Sequence, residues 1–367
     1  MMRAKARKSL HHRETTAMHC VVSNEMNNTA AMSLAALGWS RELDAQVAAD
    51  ERDLEPMRIA TVHRSRMGAQ SRNGPVRLDL PTGVKTTDFA VGDWVLSAPT
   101  THTLIRRLDR HTLLQRQTEG GRMAQLIAAN VDTLFIVTSC NDDFNAARLE
   151  RYLALANEAG TRPVIVLTKA DTSAQDPAEY KTQAQALQRG LEVVTLNAKS
   201  QDAASALAPW CGEGQTVALV GSSGVGKSTL LNTLAGKTGE QAQATSGIRE
   251  DDAKGRHTTT SRSLHAITGG GWVIDTPGMR SLHVSDVAAG LDMLFAEITE
   301  LAPECRFRDC THNHEPGCAV QAAVAAGTLD ADRLARWSKL NEENLDNTPQ
   351  MTGPRGNRVL KPKGKRR

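Results

Sequence analysis

Apolar and polar positions follow three successive rhythms along the chain. Residues 1–31 are polar and aperiodic and are read as disordered. From residue 33 the run LAALGW leads to Ser40, a residue type suited to capping a helix, and a short helix carrying Leu43, Val47 and Leu54 is expected after it. Between residues 57 and 118 the pattern changes to short alternating runs: MRIATVHR, GPVRLDL, GDWVLS and HTLIRRLD. Turn chemistry separates them at Asn73-Gly74-Pro75, Pro81-Thr82-Gly83 and Gly92-Asp93, and this predicts a small β-barrel. From Gln125 the rhythm becomes β-α-β. Strands are expected at 131–137, 163–167, 191–196, 216–220, 263–267 and 272–275. Helices are expected at 146–159, with Leu149, Leu153 and Leu155 on the apolar side, at 178–189, near 203–210, and after 226 with Leu230, Leu231 and Leu234. Such alternation predicts a mostly parallel, doubly wound α/β sheet whose ligands bind at the carboxyl ends of its strands. Two further helices, 319–326 and 330–345, close the ordered part.

A chain of 367 residues is expected to hold two or three domains. Aromatics make up only 3%, so cores must be built from Leu, Val, Ile and Ala. The net charge of +3 is unevenly spread. Arg3, Lys5, Arg7, Lys8 and Arg13 stand without an acid at one end, and Arg355, Arg358, Lys361, Lys363, Lys365, Arg366 and Arg367 at the other. Basic tails suit either a polyanionic partner or plain solvation. Residues 57–122 hold eleven Lys and Arg against five acids, a balance that fits an RNA-binding barrel such as an OB-fold. The stacking platform there is thin, with only Phe89 and Trp94 available. No apolar run reaches about 18 residues and no signal-peptide core is present, so neither a membrane span nor secretion is expected. Met32 stands just before the ordered pattern, and it is the expected true start if residues 1–31 are dispensable.

The chemistry begins at residues 216–231, TVALVGSSGVGKSTLL. This is G-x-x-x-x-G-K-S between a buried strand and an amphipathic helix, the context a phosphate-binding loop requires. Gly221, Ser222, Ser223, Gly224, Val225 and Gly226 would turn backbone amides inward as an anion cradle. Lys227 would reach the β- and γ-phosphates, Ser228 would ligate Mg²⁺, and Thr229 continues the helix start. Asp275-Thr276-Pro277-Gly278 follows a strand; Asp275 suits Mg²⁺ and the Gly278 amide suits a γ-phosphate.

Thr168-Lys169-Ala170-Asp171 resembles the N-K-x-D base-recognition motif of GTPases. A carboxylate at Asp171 can accept two hydrogen bonds from the N1–H and N2–H₂ edge of guanine, and adenine offers no such pair. The Lys169 stem would cover the base. Thr168 replaces the usual Asn, a departure expected to loosen the loop without removing specificity. Asn197-Ala198-Lys199 resembles the S-A-K motif, whose amide meets guanine O6. The base motifs come before the phosphate loop, the reverse of most GTPases. Joining the old ends and cutting before residue 131 reproduces the order, which defines a circular permutation. Asp171 and Lys169 argue against an ATPase or kinase. Lys227, Ser228 and Asp275 argue against an RNA-binding scaffold that never uses its nucleotide.

GSSGVGKS, DTPG, TKAD, GRHTTT and a downstream cysteine–histidine cluster, in this order, resemble the circularly permuted ribosome small-subunit-dependent GTPase A family over residues 33–345. The resemblance implies an N-terminal OB-fold, a permuted GTPase domain and a C-terminal zinc domain that docks on the 30S subunit. It also implies a role late in subunit maturation, with GTP hydrolysis to GDP stimulated by the subunit, and the subunit and its rRNA as partners. The expected organisation is a disordered basic extension at 1–31, a helical segment at 32–56, the barrel at 57–122, the GTPase at 123–286, the zinc domain at 287–346 and a basic tail at 347–367. The expected state is a cytoplasmic monomer.

GRHTTT falls where the first switch belongs, so Thr258 or Thr259 would complete the Mg²⁺ shell. Met279 occupies the position at which Ras-like enzymes place a water-orienting Gln. His257 is the best substitute in reach, as the resemblance also suggests. Cys305, Cys310, His312 and Cys318 offer three thiolates and an imidazole, a closed structural zinc set, with His314 a rival for the fourth place. Such a site is expected to hold its domain folded.

Overall fold

The computed structural model describes residues 31–117, 124–200, 202–237, 262–276, 284–348, 350–351 and 358–359. Ser40 caps the first helix as expected, its Oγ accepting from the Leu43 amide at 3.3 Å. That helix, α1 (Arg41–Asp44), is only one turn long. The expected helix through Val47 and Leu54 is therefore corrected: the chain turns again at Ala49–Glu51 and runs straight into a strand.

Five strands follow: β1 (Glu55–Val62), β2 (Met67–Ser71), β3 (Gly74–Arg77), β4 (Trp94–Ser97) and β5 (Leu104–Arg107). β1 pairs with β2, β2 with β3, β1 with β4 and β4 with β5, all antiparallel. The circle closes at Asp79, whose amide donates to the His102 carbonyl (3.0 Å) and whose carbonyl accepts from the Leu104 amide (2.9 Å). This is the five-stranded barrel of an OB-fold. Its interior is filled by Met57, Ile59, Met67, Ala69, Leu78, Val95 and Leu104. A hairpin of β6 (Leu113–Gln117) and β7 (Ala124–Ala129) comes next, spanning the expected boundary at residue 122.

The second part is a sheet of β8 (Thr133–Ser139), β9 (Arg162–Thr168), β10 (Glu192–Thr195), β11 (Thr216–Val220), β12 (Ser263–Ala266) and β13 (Trp272–Asp275). Its spatial order is β10-β9-β8-β11-β13-β12, parallel except for β12. The phosphate-loop strand β11 sits at the centre although the chain enters the sheet at β8. That is the arrangement expected of a permuted GTPase. Helices α2 (Ala146–Glu158), α3 (Pro177–Gln185), α4 (Asp202–Leu207) and α5 (Lys227–Leu234) connect the strands. α5 buries Leu230, Leu231 and Leu234 against Val217, Leu219 and Val273. Each such side chain contributes roughly 1.5–3 kcal/mol.

Barrel and sheet are continuous, because Thr61 of β1 pairs with Ser263 of β12. Arg58 fastens the same junction from within. Its guanidinium is 1% exposed and donates to the Leu37 carbonyl (2.8 Å), the Asn130 carbonyl (3.2 Å) and Thr216 Oγ1 (2.6 Å). Burial lowers its pKa to about 10, against the opposing field of Asp132. Arg106 is held by Glu51 (2.6 Å) and Arg110 by the buried Asp93 (2.6 Å). Of the eleven barrel cations, Arg58 is thus spent inside the protein, while Arg106 and Arg110 stay partly exposed but have their charge paired by acids, which thins the basic face expected for RNA. Trp94 leaves the stacking platform as well: it is buried, edge-on to Trp39 at 5.0 Å. Phe89 packs against the barrel core.

The C-terminal part contains α6 (Ala288–Leu294) and α7 (Ala296–Leu301), which the sequence reading missed, then α8 (Ala319–Ala325) and α9 (Ala331–Asn347). α6 crosses α2 at Gly290, where a Cβ would fall 2.1 Å from the Ala154 carbonyl oxygen, so only glycine fits. Glu150 of α2 is fully buried and accepts from Arg333 (2.8 Å) and Arg336 (2.9 Å) of α9. Within the expected tail, Gln350–Met351 pairs antiparallel with Arg358–Val359. No helix among the described residues is long and apolar enough to cross a membrane.

Candidate nucleotide site and metal centre

The loop after β11 folds as its glycines require. Gly221 has φ +141°, and a Cβ there would lie 2.1 Å from the Val137 carbonyl oxygen, so the loop begins flush against β8. Gly226, at φ +101°, caps α5. Lys227 Nζ donates to the carbonyls of Gly221 (2.8 Å) and Ser222, folding its ammonium back over the loop. Those carbonyls occupy donors that phosphate oxygens could take over. Val225 is buried, and Ser222, Ser223, Gly224, Ser228 and Thr229 lie at partly or fully accessible positions around the rim. Asp275 ends β13 opposite Leu219 of β11, one strand from the loop. The next residue, Thr276, is buried and its hydroxyl donates to the Leu219 carbonyl.

The base motifs reach the same edge. Thr168 ends β9, fully buried, with Oγ1 2.6 Å from the Val225 carbonyl and 3.1 Å from the Thr138 carbonyl. The expected loosening is therefore absent: the hydroxyl ties the base loop directly to the phosphate loop. Lys169 takes the left-handed conformation (φ 57°) that turns the chain outward, leaving Asp171 exposed. Asn197 Nδ2 donates to Asp171 Oδ2 at 2.9 Å, and Asn197 Oδ1 accepts from the Lys199 amide at 2.9 Å. The Ala198 carbonyl accepts from Thr233 Oγ1 of α5 at 2.8 Å. Three segments far apart in sequence thus meet at one end of the sheet. His257, Thr258 and Thr259, together with Gly278 and Met279, lie outside the described residues.

The second site forms between α7 and α8. The ligand atoms of Cys305, Cys310, His312 and Cys318 all lie within 4.8 Å of one another. Cys305 Sγ is 3.8 Å from Cys318 Sγ, and His312 Nδ1 is 3.6 Å and 3.4 Å from these sulfurs. A tetrahedron with Zn–S of about 2.3 Å and Zn–N of about 2.0 Å has edges close to these separations. The donor set therefore fits a structural zinc, with no open position for chemistry. His312 rather than His314 supplies the imidazole. It sits at φ 61°, its ring faces Trp337 at 5.4 Å, and its carbonyl accepts from Gln321. Cys318 also caps α8, accepting from the Gln321 amide at 3.4 Å.

Reasoning from sequence overlooked the grip of α9 on the segment after Asp275. Glu343 accepts from the Val284 amide (3.1 Å), Asn344 from the Val287 amide (3.1 Å), and Thr348 from the Asp286 amide (2.8 Å). A polar residue such as Glu150 between Leu149 and Leu153 on an apolar helix face was the one visible sign of a buried partner.

Residues 107–285 match the model of the RsgA GTPase family. The chain is 65% identical to the small ribosomal subunit biogenesis GTPase RsgA of Mesorhizobium japonicum, over 94% of this chain and 99% of that protein. It is 47% identical to the small ribosomal subunit biogenesis GTPase RsgA 2 of Vibrio vulnificus, over 91% of this chain and 94% of that one. Among solved structures it resembles YjeQ from Thermotoga maritima, with a TM-score of 0.59 at 23% identity over 79% of this chain and 98% of that chain. It also resembles YloQ, described as a circularly permuted GTPase, with a TM-score of 0.56 at 24% identity over 81% and 97% of the two chains. Near-complete overlap with a relative at 65% identity, joined to a permuted sheet whose phosphate and base loops converge, places this chain in the RsgA GTPase family.

Proposed function

We propose that this chain is a GTPase that binds the small (30S) ribosomal subunit, acts in its late maturation, and hydrolyses GTP to GDP and phosphate faster when the subunit is bound. The observation that carries the reading is the convergence of Thr168, Ala198 and Val225, joined by bonds of 2.6 and 2.8 Å between the base loops and the phosphate-loop segment. The names of the relatives supply the subunit. The amides of residues 221–226 receive the phosphates, Lys227 neutralises the β- and γ-oxygens, and Thr229 extends the cradle. Ser228 and Asp275 would hold Mg²⁺, which when bound would supply positive charge to the transferred phosphoryl group. Asp171 reads the guanine edge, held at its angle by Asn197; Lys169 covers the base and the 197–199 loop faces O6. His257 orients the attacking water, Thr258 or Thr259 completes the metal shell, and the Gly278 amide senses the γ-phosphate.

Function is divided along the chain in this reading. The barrel (57–122) and the basic tail (347–367) meet rRNA, the central domain (123–286) turns over GTP, and the zinc domain (287–346) docks on the subunit. The protein works as a cytoplasmic monomer. Co-sedimentation with purified subunits tests this. Binding to small subunits in a non-hydrolysable GTP analogue, weaker in GDP and absent with large subunits, is expected. Equal pelleting with both subunits would refute the partner.

A further inference from the structure

The turn that carries His312 is folded around a carboxylate. Glu315 Oε1 accepts from the Thr311 amide (2.9 Å) and the Thr311 hydroxyl (2.5 Å). Glu315 Oε2 accepts from the amides of Asn313 (3.1 Å) and His314 (3.2 Å). Three backbone donors thus converge on one side chain, in the manner of the amide nests that bind anions. His312 lies among them in the left-handed conformation (φ 61°), which is unfavourable for a residue with a Cβ. On the outer side of the turn, the carbonyls of His312 and Asn313 accept from Gln321 of α8.

This turn serves two of the four ligands. His312 Nδ1 stands 3.6 Å and 3.4 Å from the sulfurs of Cys305 and Cys318, and the His312 amide bonds the Cys310 sulfur. Glu315 is outside the ligand cluster. Its four hydrogen bonds use up the roughly four acceptor sites of a carboxylate, which leaves none for a metal.

We propose that Glu315 is the positioning residue of the zinc site: it holds the His312 turn in ligand geometry, so that zinc affinity depends on a carboxylate that does not touch the ion. It rests on the reading of Cys305, Cys310, His312 and Cys318 as a zinc centre. Zinc binding and folding of this segment are one equilibrium. Without the carboxylate, the Thr311, Asn313 and His314 amides lose their shared partner and nothing on the inner side keeps His312 left-handed. The folded, loaded segment is then less favourable, and affinity falls. Residues behind the ligands of a metal contribute roughly tenfold or more to its affinity.

The test strips the full chain of metal and titrates it with zinc against a chromophoric chelator, then with Co²⁺, whose d–d absorption reports the ligand set. Glu315→Ala is expected to bind zinc roughly tenfold more weakly, with the parent's Co²⁺ spectrum at saturation. Glu315→Gln keeps one acceptor oxygen and should lose less. Thr311→Val removes one of the four bonds and should also lose less than Glu315→Ala. Hydrogen exchange of α9 in the stripped protein should be the same in parent and variant, because the turn acts only in the loaded state. Parent-like zinc affinity in Glu315→Ala would overturn the proposal. So would an altered Co²⁺ spectrum at saturation, which would make Glu315 a ligand, or faster α9 exchange in the stripped variant, which would make its role general packing. Failure of the unsubstituted chain to take up zinc would overturn the proposal together with the zinc centre.

Discussion

Glu150→Ala is the substitution that most sharply tests how the C-terminal part is attached. The carboxylate is fully buried on α2 and receives Arg333 Nη1 at 2.8 Å and Arg336 Nε at 2.9 Å from α9. Removing one partner of a buried ion pair costs about 3–5 kcal/mol because the other charge stays buried. Arg333 does not lose everything: it keeps Glu297 (2.7 Å), the Leu294 carbonyl (2.7 Å) and the face of Phe295 (4.1 Å). Arg336 is partly exposed and can turn to water. The second oxygen of Glu150 has no hydrogen-bond partner to lose. These three facts put the loss at the lower end, about 3 kcal/mol. Hydrogen exchange measured along the chain is the assay. Amides of α9 should lose about that much protection, while β8, β9 and β11 keep theirs. Glu150→Gln retains an acceptor and should lose about half as much. Loss of less than about 0.5 kcal/mol in Glu150→Ala, the range of an ordinary surface change, would refute the view that this ion pair clamps α9 to α2.

Asp171→Asn should weaken GTP binding and relax the choice of base, because the amide presents one donor where guanine needs two acceptors; competition binding with GTP, XTP and ATP reads it, and retained guanine preference would remove Asp171 from the base site. Glu51→Gln tests the tie between the N-terminal segment and the barrel. The Arg106 side chain and the Ala48 amide lower the Glu51 pKa to about 2. A depressed carboxylate stabilises the fold above its unfolded pKa of about 4.3 and loses that contribution as pH falls toward 2. The variant should therefore be less stable than the parent at pH 7, with the gap closing below pH 4 in a series of thermal melts. Chelating zinc should unfold residues 305–318 but leave α6, α7, α8 and α9 docked, since all four helices bury residues in one apolar cluster with α2; exchange lost across all of 287–346 would contradict this. The last expectation narrows the sequence-based one, which had the whole domain dependent on metal.

What could be read from the sequence, and what could not, has a physical pattern. The phosphate loop, the base motifs and the zinc set were legible because their chemistry needs particular residues at short spacings. Strand and helix ranges in the central sheet were legible because each element buries a continuous apolar run or stripe. The helix expected through Val47 and Leu54 failed because apolar spacing there serves a turn packed on the barrel rather than one helix face. The basic barrel face was overcounted because charge says nothing about burial: Arg58 reads as a surface cation until Leu37, Asn130 and Thr216, drawn from three distant segments, are seen to close around it. Thr168 was misjudged for a related reason. A hydroxyl can do the structural work of an amide only if the Val225 carbonyl arrives within reach, and that distance is a property of the fold. The hold of Glu343 and Asn344 on residues 284–287 has no local signature at all.

The central claim is that the converging loops at the end of β8, β9 and β11 bind guanine nucleotide and that the small subunit governs its turnover. GTP hydrolysis by the purified protein, measured alone and with purified small subunits, tests it most directly, with large subunits and ATP as controls. The expected result is slow intrinsic turnover, strong stimulation by small subunits, none by large subunits, and no hydrolysis of ATP. Equal rates with small and large subunits, or ATP hydrolysed as readily as GTP, would contradict the account.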